Sequence, residues 1–323
     1  TFNFWRLFVF NILRPGRTIN RLRFKQVFKN TNKIAKSFSK NPFFKNENLS
    51  KEMNQNKLIS ALEDLNNNGG CVVENYFSSE AIDNFLEKYK NLIQEMKEDK
   101  YEITTYNRKP LKLQDQLINL WLDKNLVNLI SSYFQGQVLA RNYPYIYYTY
   151  VAPLKEKDHT ESSEVADSWH VDHSVLFNLH VLLEDVNEKD TRMEILQGSH
   201  KYLNIGSSNY SNKVVQEYSK NTNKKIISCS GKKGTIYMHT GNAIHRLKPV
   251  PGSNRLNLHF EFTPGSNILL DSNYIQHCLS DKFDLNKLDN YQKEIIKVIF
   301  PPKQTKGYDM LGEKIYPTKH KGV

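Results

Sequence analysis

The sequence predicts a mainly β fold, a sandwich or barrel of short strands with helices gathered in the N-terminal half. Three observations carry this. Beyond Ala152 the chain is a series of short apolar runs: SVLFNLHVLLED, MEILQGSHK, KKIISCSGKKGTIYMH and RLNLHFEFTPG. Gly198, Gly231, Gly234, Gly241 and Gly252 punctuate them, and no long helical stretch intervenes. Before Ala152, apolar residues recur at helical spacing instead. The length of 323 residues at 39% hydrophobic content allows one large domain with extensions, or two modest ones.

Each element follows from local pattern. Leu58, Ile59, Leu62 and Leu65 predict a helix that Gly69-Gly70 ends. Cys71-Val72-Val73 reads as a short strand. Ser78-Ser79-Glu80 supplies an N-cap for a second helix with a stripe of Ile82, Phe85, Tyr89 and Ile93. A third helical stretch runs from about Leu113 to Phe134. VLARNYPYIYYTYV, from Val138 to Val151, reads as strands interrupted at Pro144. Residues 202–225 hold few apolar residues and are expected to pass over the barrel mouth. A last helix is expected near Leu288–Ile299.

The formal net charge is +11, with much of the excess before residue 50 and after residue 300. The Lys and Arg residues form no recognisable nucleic-acid module, so no nucleic acid is expected. No apolar run approaches the roughly 20 residues that span a bilayer. Residues 1–30, aromatic then basic, have two readings: a peripheral membrane-surface anchor, or a helix packed on the domain. Cys71, Cys229 and Cys278 are widely spaced, which disfavours a disulfide framework and makes a reducing, cytoplasmic compartment the expectation.

The chemistry centres on Trp169-His170-Val171-Asp172. In a strand, residues i and i+2 share a face, so His170 and Asp172 present an imidazole and a carboxylate together. A hydrogen-bonded pair and two ligands of one metal ion both fit. Further on, GTIYMHTGNAIHRLKPVPGSNRLNLHFEF places His245 on one strand. A hairpin turn at residues 249–254 then brings Arg255 back close to His245 on the returning strand. Two histidines and one carboxylate leave positions open on a metal, the arrangement of non-heme Fe(II) oxygenases. An Arg deeper in the pocket suits a dicarboxylate co-substrate. His173, His180, His239 and His259 are competing ligands, with His239 the fallback for the distal position.

At this point the chain resembles the phytanoyl-CoA dioxygenase family of Fe(II)/2-oxoglutarate-dependent oxygenases. NGGCVVENYFSSEAIDNFLEKY, SWHVD, LHVLLEDVNEKDTRMEILQGSHK and the His245–Arg255 segment match that family's motifs in order, over about residues 58–265. The resemblance implies a double-stranded β-helix (jelly-roll) core flanked by N-terminal helices. It implies that His170, Asp172 and His245 bind Fe(II), and that Arg255 binds the distal carboxylate of 2-oxoglutarate. Asn257, Tyr148 and Thr149 are further candidates for the co-substrate. It implies O2-dependent oxidation of a small-molecule substrate with release of succinate and CO2. Because Asp172 stands where related halogenases carry a small residue, hydroxylation is expected over halogenation. Arg192-Met193 replaces a Gly-Pro-type turn common in relatives, which is expected to reshape the substrate mouth. The expected division is a basic extension at 1–56, an oxygenase domain at 57–265, and a C-terminal extension at 266–323. A non-catalytic jelly-roll binding protein, and a membrane-surface protein led by its basic N-terminus, are the rival readings.

Overall fold

The computed structural model describes residues 55–98, 104–111, 113–134, 138–141, 144–153, 168–172, 176–201, 209–264 and 285–296. The basic N-terminal segment and most of 266–323 lie outside the described residues.

Helix α1 (Gln55–Asn68) buries Leu58, Ala61 and Leu65 along one stripe. Gly69 ends it at φ +78°, a left-handed backbone in which a Cβ would also come within 2.5 Å of His200 Nδ1. Strand β1 (Gly70–Val73) follows. Helix α2 (Ser79–Lys88) opens on Ser78, whose Oγ accepts from the Ala81 N–H, and α3 (Lys90–Glu98) continues after Tyr89. Strand β2 (Thr104–Pro110) is next. The single helix expected over 113–134 is two, α4 (Asp115–Trp121) and α5 (Lys124–Phe134). The cause is Asp123. Its Oδ1 accepts from the Leu126 N–H at 3.0 Å, a cap that starts a new helix, and from the Tyr76 hydroxyl at 2.7 Å.

Strands β3 (Val138–Ala140) and β4 (Tyr145–Val151) flank Pro144 as expected. Then come β5 (Trp169–His170), β6 (Phe177–Leu182), β7 (Arg192–Leu196), a 3-10 turn at Ser199–Lys201 and β8 (Asn209–Tyr210). Helix α6 (Asn212–Thr222) precedes β9 (Ile226–Cys229), β10 (Ile236–Thr240), β11 (His245–Lys248) and β12 (Asn254–Pro264). The late helix is α7 (Asn290–Ile296).

The strands form two antiparallel sheets. The larger has the order β1-β10-β6-β12-β4-β2 with β3 on β12, and the smaller β8-β5-β11-β7-β9. From β4 to β7, and again from β10 to β12, consecutive strands alternate between sheets. That is a double-stranded β-helix, with β4, β12, β6 and β10 facing β5, β11, β7 and β9. The alternation revises one expectation. The turn at 249–254 does not close a hairpin, because β11 pairs with β5 and β7 while β12 pairs with β4 and β6. His245 and Arg255 therefore sit on opposite sheets. The crossing turn is held by Thr191, whose N–H donates to Ser253 Oγ at 2.8 Å and whose Oγ1 accepts from the Val250 N–H at 2.9 Å.

Two-residue periodicity gives each sheet two different faces. The helix-side face of the large sheet packs Ile146, Tyr148, Leu179, Val181, Met238, Leu256, Leu258 and Phe260 into the main core with the N-terminal helices. The outer face of the small sheet carries Trp169, Leu196 and Ile244, on which Val215 of α6 packs. The excursion expected over the mouth thus includes a helix docked on the outside of the small sheet. Arg192 also points outward, 3.2 Å from Glu194 and 3.5 Å from Glu188.

The Gln197–Lys201 loop ties the site to the α1–β1 junction. The Gly198 N–H donates to Asn68 O at 2.8 Å, and Asn242 Nδ2 donates to His200 O at 2.8 Å. Ser199 Oγ donates to Leu196 O at 2.7 Å and accepts from the Ile244 N–H at 2.8 Å, one residue before His245. Ser199→Ala should leave that buried N–H unmet and lower unfolding free energy by about 1–3 kcal/mol in urea titrations. A change below a few tenths would show that the hydroxyl does not hold β11.

Candidate metal centre

His170 and His245 are direct cross-strand partners of β5 and β11, so their side chains share the inner face of the small sheet. Their rings lie 4.4 Å apart between centroids. His170 Nδ1–H donates to Ser168 O, and His245 Nδ1–H donates to Ala243 O, each at 2.9 Å. A carbonyl can only accept, so each bond fixes the tautomer and leaves the Nε2 lone pair free to ligate. Asp172 lies two residues past β5, beyond the strand that was expected to carry it. Its Oδ2 is 3.5 Å from His245 Nε2 and its Oδ1 is 4.0 Å from His170 Nε2. The three side chains offer ligand atoms all within 4.8 Å of one another, the one such group among the described residues.

The facing wall is the inner face of the large sheet. β10 contributes Tyr237 and His239, β6 Asn178 and His180, β12 Arg255, Asn257 and His259, and β4 Tyr147 and Thr149. All alternate with the apolar residues of the main core. Asn178 Nδ2 donates to Asp172 Oδ2 at 2.9 Å. His180 stacks between Tyr237 (4.5 Å, 9°) and His259 (4.3 Å, 8°). Arg255 is 2% exposed and donates through one terminal nitrogen to the Tyr237 hydroxyl at 3.1 Å. It has no carboxylate partner among the described residues, and its Nε has no hydrogen-bond partner there either. Asn257 Oδ1 and Thr149 Oγ1 share that condition. Arg255 and Thr149 are cross-strand partners, and Asn257 is two residues along. Three buried unmet polar atoms on one patch of one face is the condition that a polar ligand would relieve.

The structure separates the sequence candidates. His170, Asp172 and His245 converge, and Arg255, Asn257 and Thr149 line the same interior. Tyr148 does not. It pairs in register with Leu256, buried in the helix-side core, because adjacent strand residues point to opposite faces. Of the competing ligands, His173 lies outside the described residues. His239 packs its ring 4.2 Å from that of His245 but does not join the ligand group, and His180 and His259 stack on each other. Sequence reading passed over Tyr237, Asn178 and Tyr147. The i, i+2 spacing of Asn178 with His180 and of Tyr237 with His239 marked one face for the first two.

A family model for phytanoyl-CoA dioxygenase (PhyH) matches residues 65–251. The chain belongs to the phytanoyl-CoA dioxygenase family. A comparison with curated proteins gave no significant match. Among solved structures, this family member is similar to three proteins in outline. The epimerase SnoN from nogalamycin biosynthesis is 14% identical, with 65% of this chain and 84% of that one covered at a TM-score of 0.45. AviO1 from Streptomyces viridochromogenes Tue57 is 16% identical, with 64% and 95% covered at 0.45. HygX from Streptomyces hygroscopicus, solved with nickel and 2-oxoglutarate bound, is 13% identical, with 65% and 88% covered at 0.46.

Charge at the centre follows from burial. Burial acts to raise the Asp172 carboxyl, but the charge that His245, His239, His170 and His259 take on as they protonate in acid outweighs it and holds it at about 2. A cation among the same side chains would favour the carboxylate likewise. Burial lowers His245, His180, His239 and His259 below the ordinary imidazole value, so the interior histidines are neutral near pH 7. A neutral imidazole is the ligating form. The unfolded chain, with histidines near 6.5, binds these protons first, so stability is present above that value and is lost as pH falls below it. Across the whole window from pH 7.5 to 5.5, metal-free protein should lose about 1.4 kcal/mol in total for each histidine still neutral when folded, read as chemical denaturation. His180→Gln should reduce that loss by about one histidine's share. An unchanged loss in that variant would exclude His180 from the effect. Asp172 contributes only below pH 4, outside this window.

Proposed function

We propose that this protein is an Fe(II)/2-oxoglutarate-dependent dioxygenase that hydroxylates a small-molecule substrate. The observation that carries the reading is Arg255, a buried guanidinium without a carboxylate partner among the described residues, in the same interior as the His170/Asp172/His245 group. A desolvated cation is costly unless an anion meets it. A dicarboxylate that reaches both a metal and this guanidinium satisfies the pocket. HygX, whose structure holds 2-oxoglutarate, agrees with that choice in kind.

His170, Asp172 and His245 would hold Fe(II), which fits two neutral imidazoles and one carboxylate with positions to spare. Iron and 2-oxoglutarate together supply the oxidising power, consuming O2 and releasing succinate and CO2. The chain does the rest. The Ser168 and Ala243 carbonyls fix which nitrogen each ligand histidine presents. Tyr237 accepts from Arg255 and so aims the guanidinium, leaving Nε to a carboxylate. Thr149 and Asn257 offer a hydroxyl and an amide beside it. His180 stacks on the Tyr237 ring and so holds the phenol that Arg255 donates to. Asp172 occupies the position that a halogenase would leave to halide, which favours hydroxyl transfer.

The catalytic unit is taken as 57–265, consistent with the matched span, with 1–56 and 266–323 as extensions. Among the described residues no helix is long and apolar enough to cross a membrane. The wide spacing of the cysteines supports a cytoplasmic location, and liposome co-sedimentation tests peripheral contact through residues 1–30.

Purified protein should release succinate from 2-oxoglutarate in an Fe(II)- and O2-dependent way, stimulated by its substrate within a broad metabolite panel. Arg255→Leu should raise the KM for 2-oxoglutarate about 10–100-fold, the worth of one charge-assisted hydrogen-bond set, with Fe(II) affinity retained. Arg255→Lys should fall between. No iron-dependent succinate, together with no charge-transfer band on anaerobic titration with Fe(II) and 2-oxoglutarate, would sink the proposal and favour a non-catalytic jelly roll.

A further inference from the structure

Asp172 is the least anchored of the three candidate ligands. It lies past the end of β5, outside the backbone ladder, and its side chain is 31% exposed. Among the described residues, the hydrogen bond that holds its carboxylate comes from the opposite sheet, Asn178 Nδ2 to Oδ2 at 2.9 Å. That bond is the inner end of a chain. Asn178 Oδ1 lies 2.9 Å from His259 Nε2. His259 Nδ1 lies 3.2 Å from the Tyr147 hydroxyl, and the hydroxyl lies 3.3 Å from Arg108 Nη1.

The two ends of this chain fix its direction. A guanidinium can only donate, so Tyr147 accepts from Arg108 and has its own proton to give to His259 Nδ1. A carboxylate can only accept, so the amide nitrogen of Asn178 faces Asp172 and its oxygen faces His259. His259 must then accept at Nδ1 and donate at Nε2. That is one neutral tautomer, and burial keeps the ring neutral. Glu261 lies 3.9 Å from Nδ1, beyond hydrogen-bond reach. Every link agrees with its neighbours, and the three middle residues are 3%, 7% and 4% exposed, so water does not compete for them. Arg108 is exposed and anchored over the Tyr145 ring at 3.9 Å.

We propose that Asn178, His259 and Tyr147 are positioning residues for the metal-binding carboxylate: with Arg108 they form a one-directional hydrogen-bond relay that fixes how Asp172 presents its oxygens. The proposal rests on the reading of Asp172 as a ligand. It assigns a role to two polar residues of the inner face, Asn178 and His259, that among the described residues hydrogen-bond neither to Arg255 nor to the other two candidate ligands. A relay of this kind acts on metal affinity and ligand-field geometry before any co-substrate is present.

The test uses the full chain, with Co(II) alone as an anaerobic probe, reading dissociation constant and visible ligand-field spectrum. His259→Leu and Asn178→Ala should weaken Co(II) binding about 10–100-fold and alter the spectrum. His259→Gln can still donate from its amide nitrogen and accept at its amide oxygen, so it should stay within about threefold of the parent. Tyr147→Phe keeps the ring and removes the proton given to Nδ1, and should weaken binding about three- to tenfold. That variant, with His259→Gln, decides the matter should His259→Leu not fold. A packing role would make Leu and Gln at 259 equivalent in both readouts, which overturns the relay. So does Asn178→Ala binding Co(II) as the parent does. A parent protein that binds no Co(II) overturns the ligand reading itself and the relay with it. A parent that binds, with all variants unchanged, overturns the relay alone.

Discussion

Polar groups taken out of water must find partners, and the inner face of the seven-stranded sheet takes a whole row of them out. Asn178, His180, Tyr147, Tyr237, His239, Arg255, Asn257 and His259 occupy positions where a sandwich would ordinarily place its apolar core. Most are satisfied by one another, through the Asn178–His259 and Arg255–Tyr237 bonds and through stacking of His259, His180 and Tyr237. The unmet atoms are not spread evenly along the row. They gather at Arg255, Asn257 and Thr149, while Trp121, Ser131 and His200 hold the others elsewhere in the fold.

This arrangement depends on sheet periodicity. The same strands that present the polar row bury Leu179, Val181, Met238, Leu256, Leu258 and Phe260 on the other side, against the N-terminal helices. The hydrophobic stabilisation of the domain is thereby moved out of the barrel and onto its back. The barrel interior is left to specificity, and to a smaller apolar cluster of Leu182, Met193, Ile195, Tyr237, Ala243 and Leu247 that spaces the two sheets. The small sheet brings His170 and His245 as cross-strand partners, and the large sheet brings Asn178 and Arg255. Neither sheet alone makes a site.

Much of this was legible because it depends on local spacing. The stripe of Leu58 and Leu65, the Ser78 cap, the break at Pro144 and the pairing of His170 with Asp172 are all short-range patterns. What escaped depends on register. YIYYTYV offers strand-forming residues at every position, so nothing in it says which parity faces inward. Only pairing of Thr149 with Arg255 and of Tyr148 with Leu256 settles that Tyr148 belongs to the core. The turn at 249–254 misled in the same way. Its composition is that of a hairpin, but which sheet each flanking strand joins is decided by partners distant in sequence. Asn178 and Tyr147 carry no motif, and their importance appears only when β6, β12 and β4 lie side by side.

The balance of fixed charge argues for the kind of ligand the interior accepts. Glu194, on the outer face of the small sheet, is met by Arg192 at 3.2 Å, Arg246 at 2.8 Å and Lys248 at 3.5 Å. Glu261 is met by Arg141 at 3.5 Å. Asp172 differs. Among the described residues its neighbours within ion-pair distance are imidazoles, and burial keeps that of His245 neutral near pH 7, so no permanent cation faces it. Arg255 is the converse, a permanent cation that among the described residues donates to a phenol and meets no carboxylate. The two occupy one interior without pairing. A metal ion would answer the first and a carboxylate the second, and a ligand that bridged them would complete both at once. A purely structural interior would gain by joining this Asp and Arg or by replacing both with apolar residues. Keeping them apart gives up stability that such a ligand would restore.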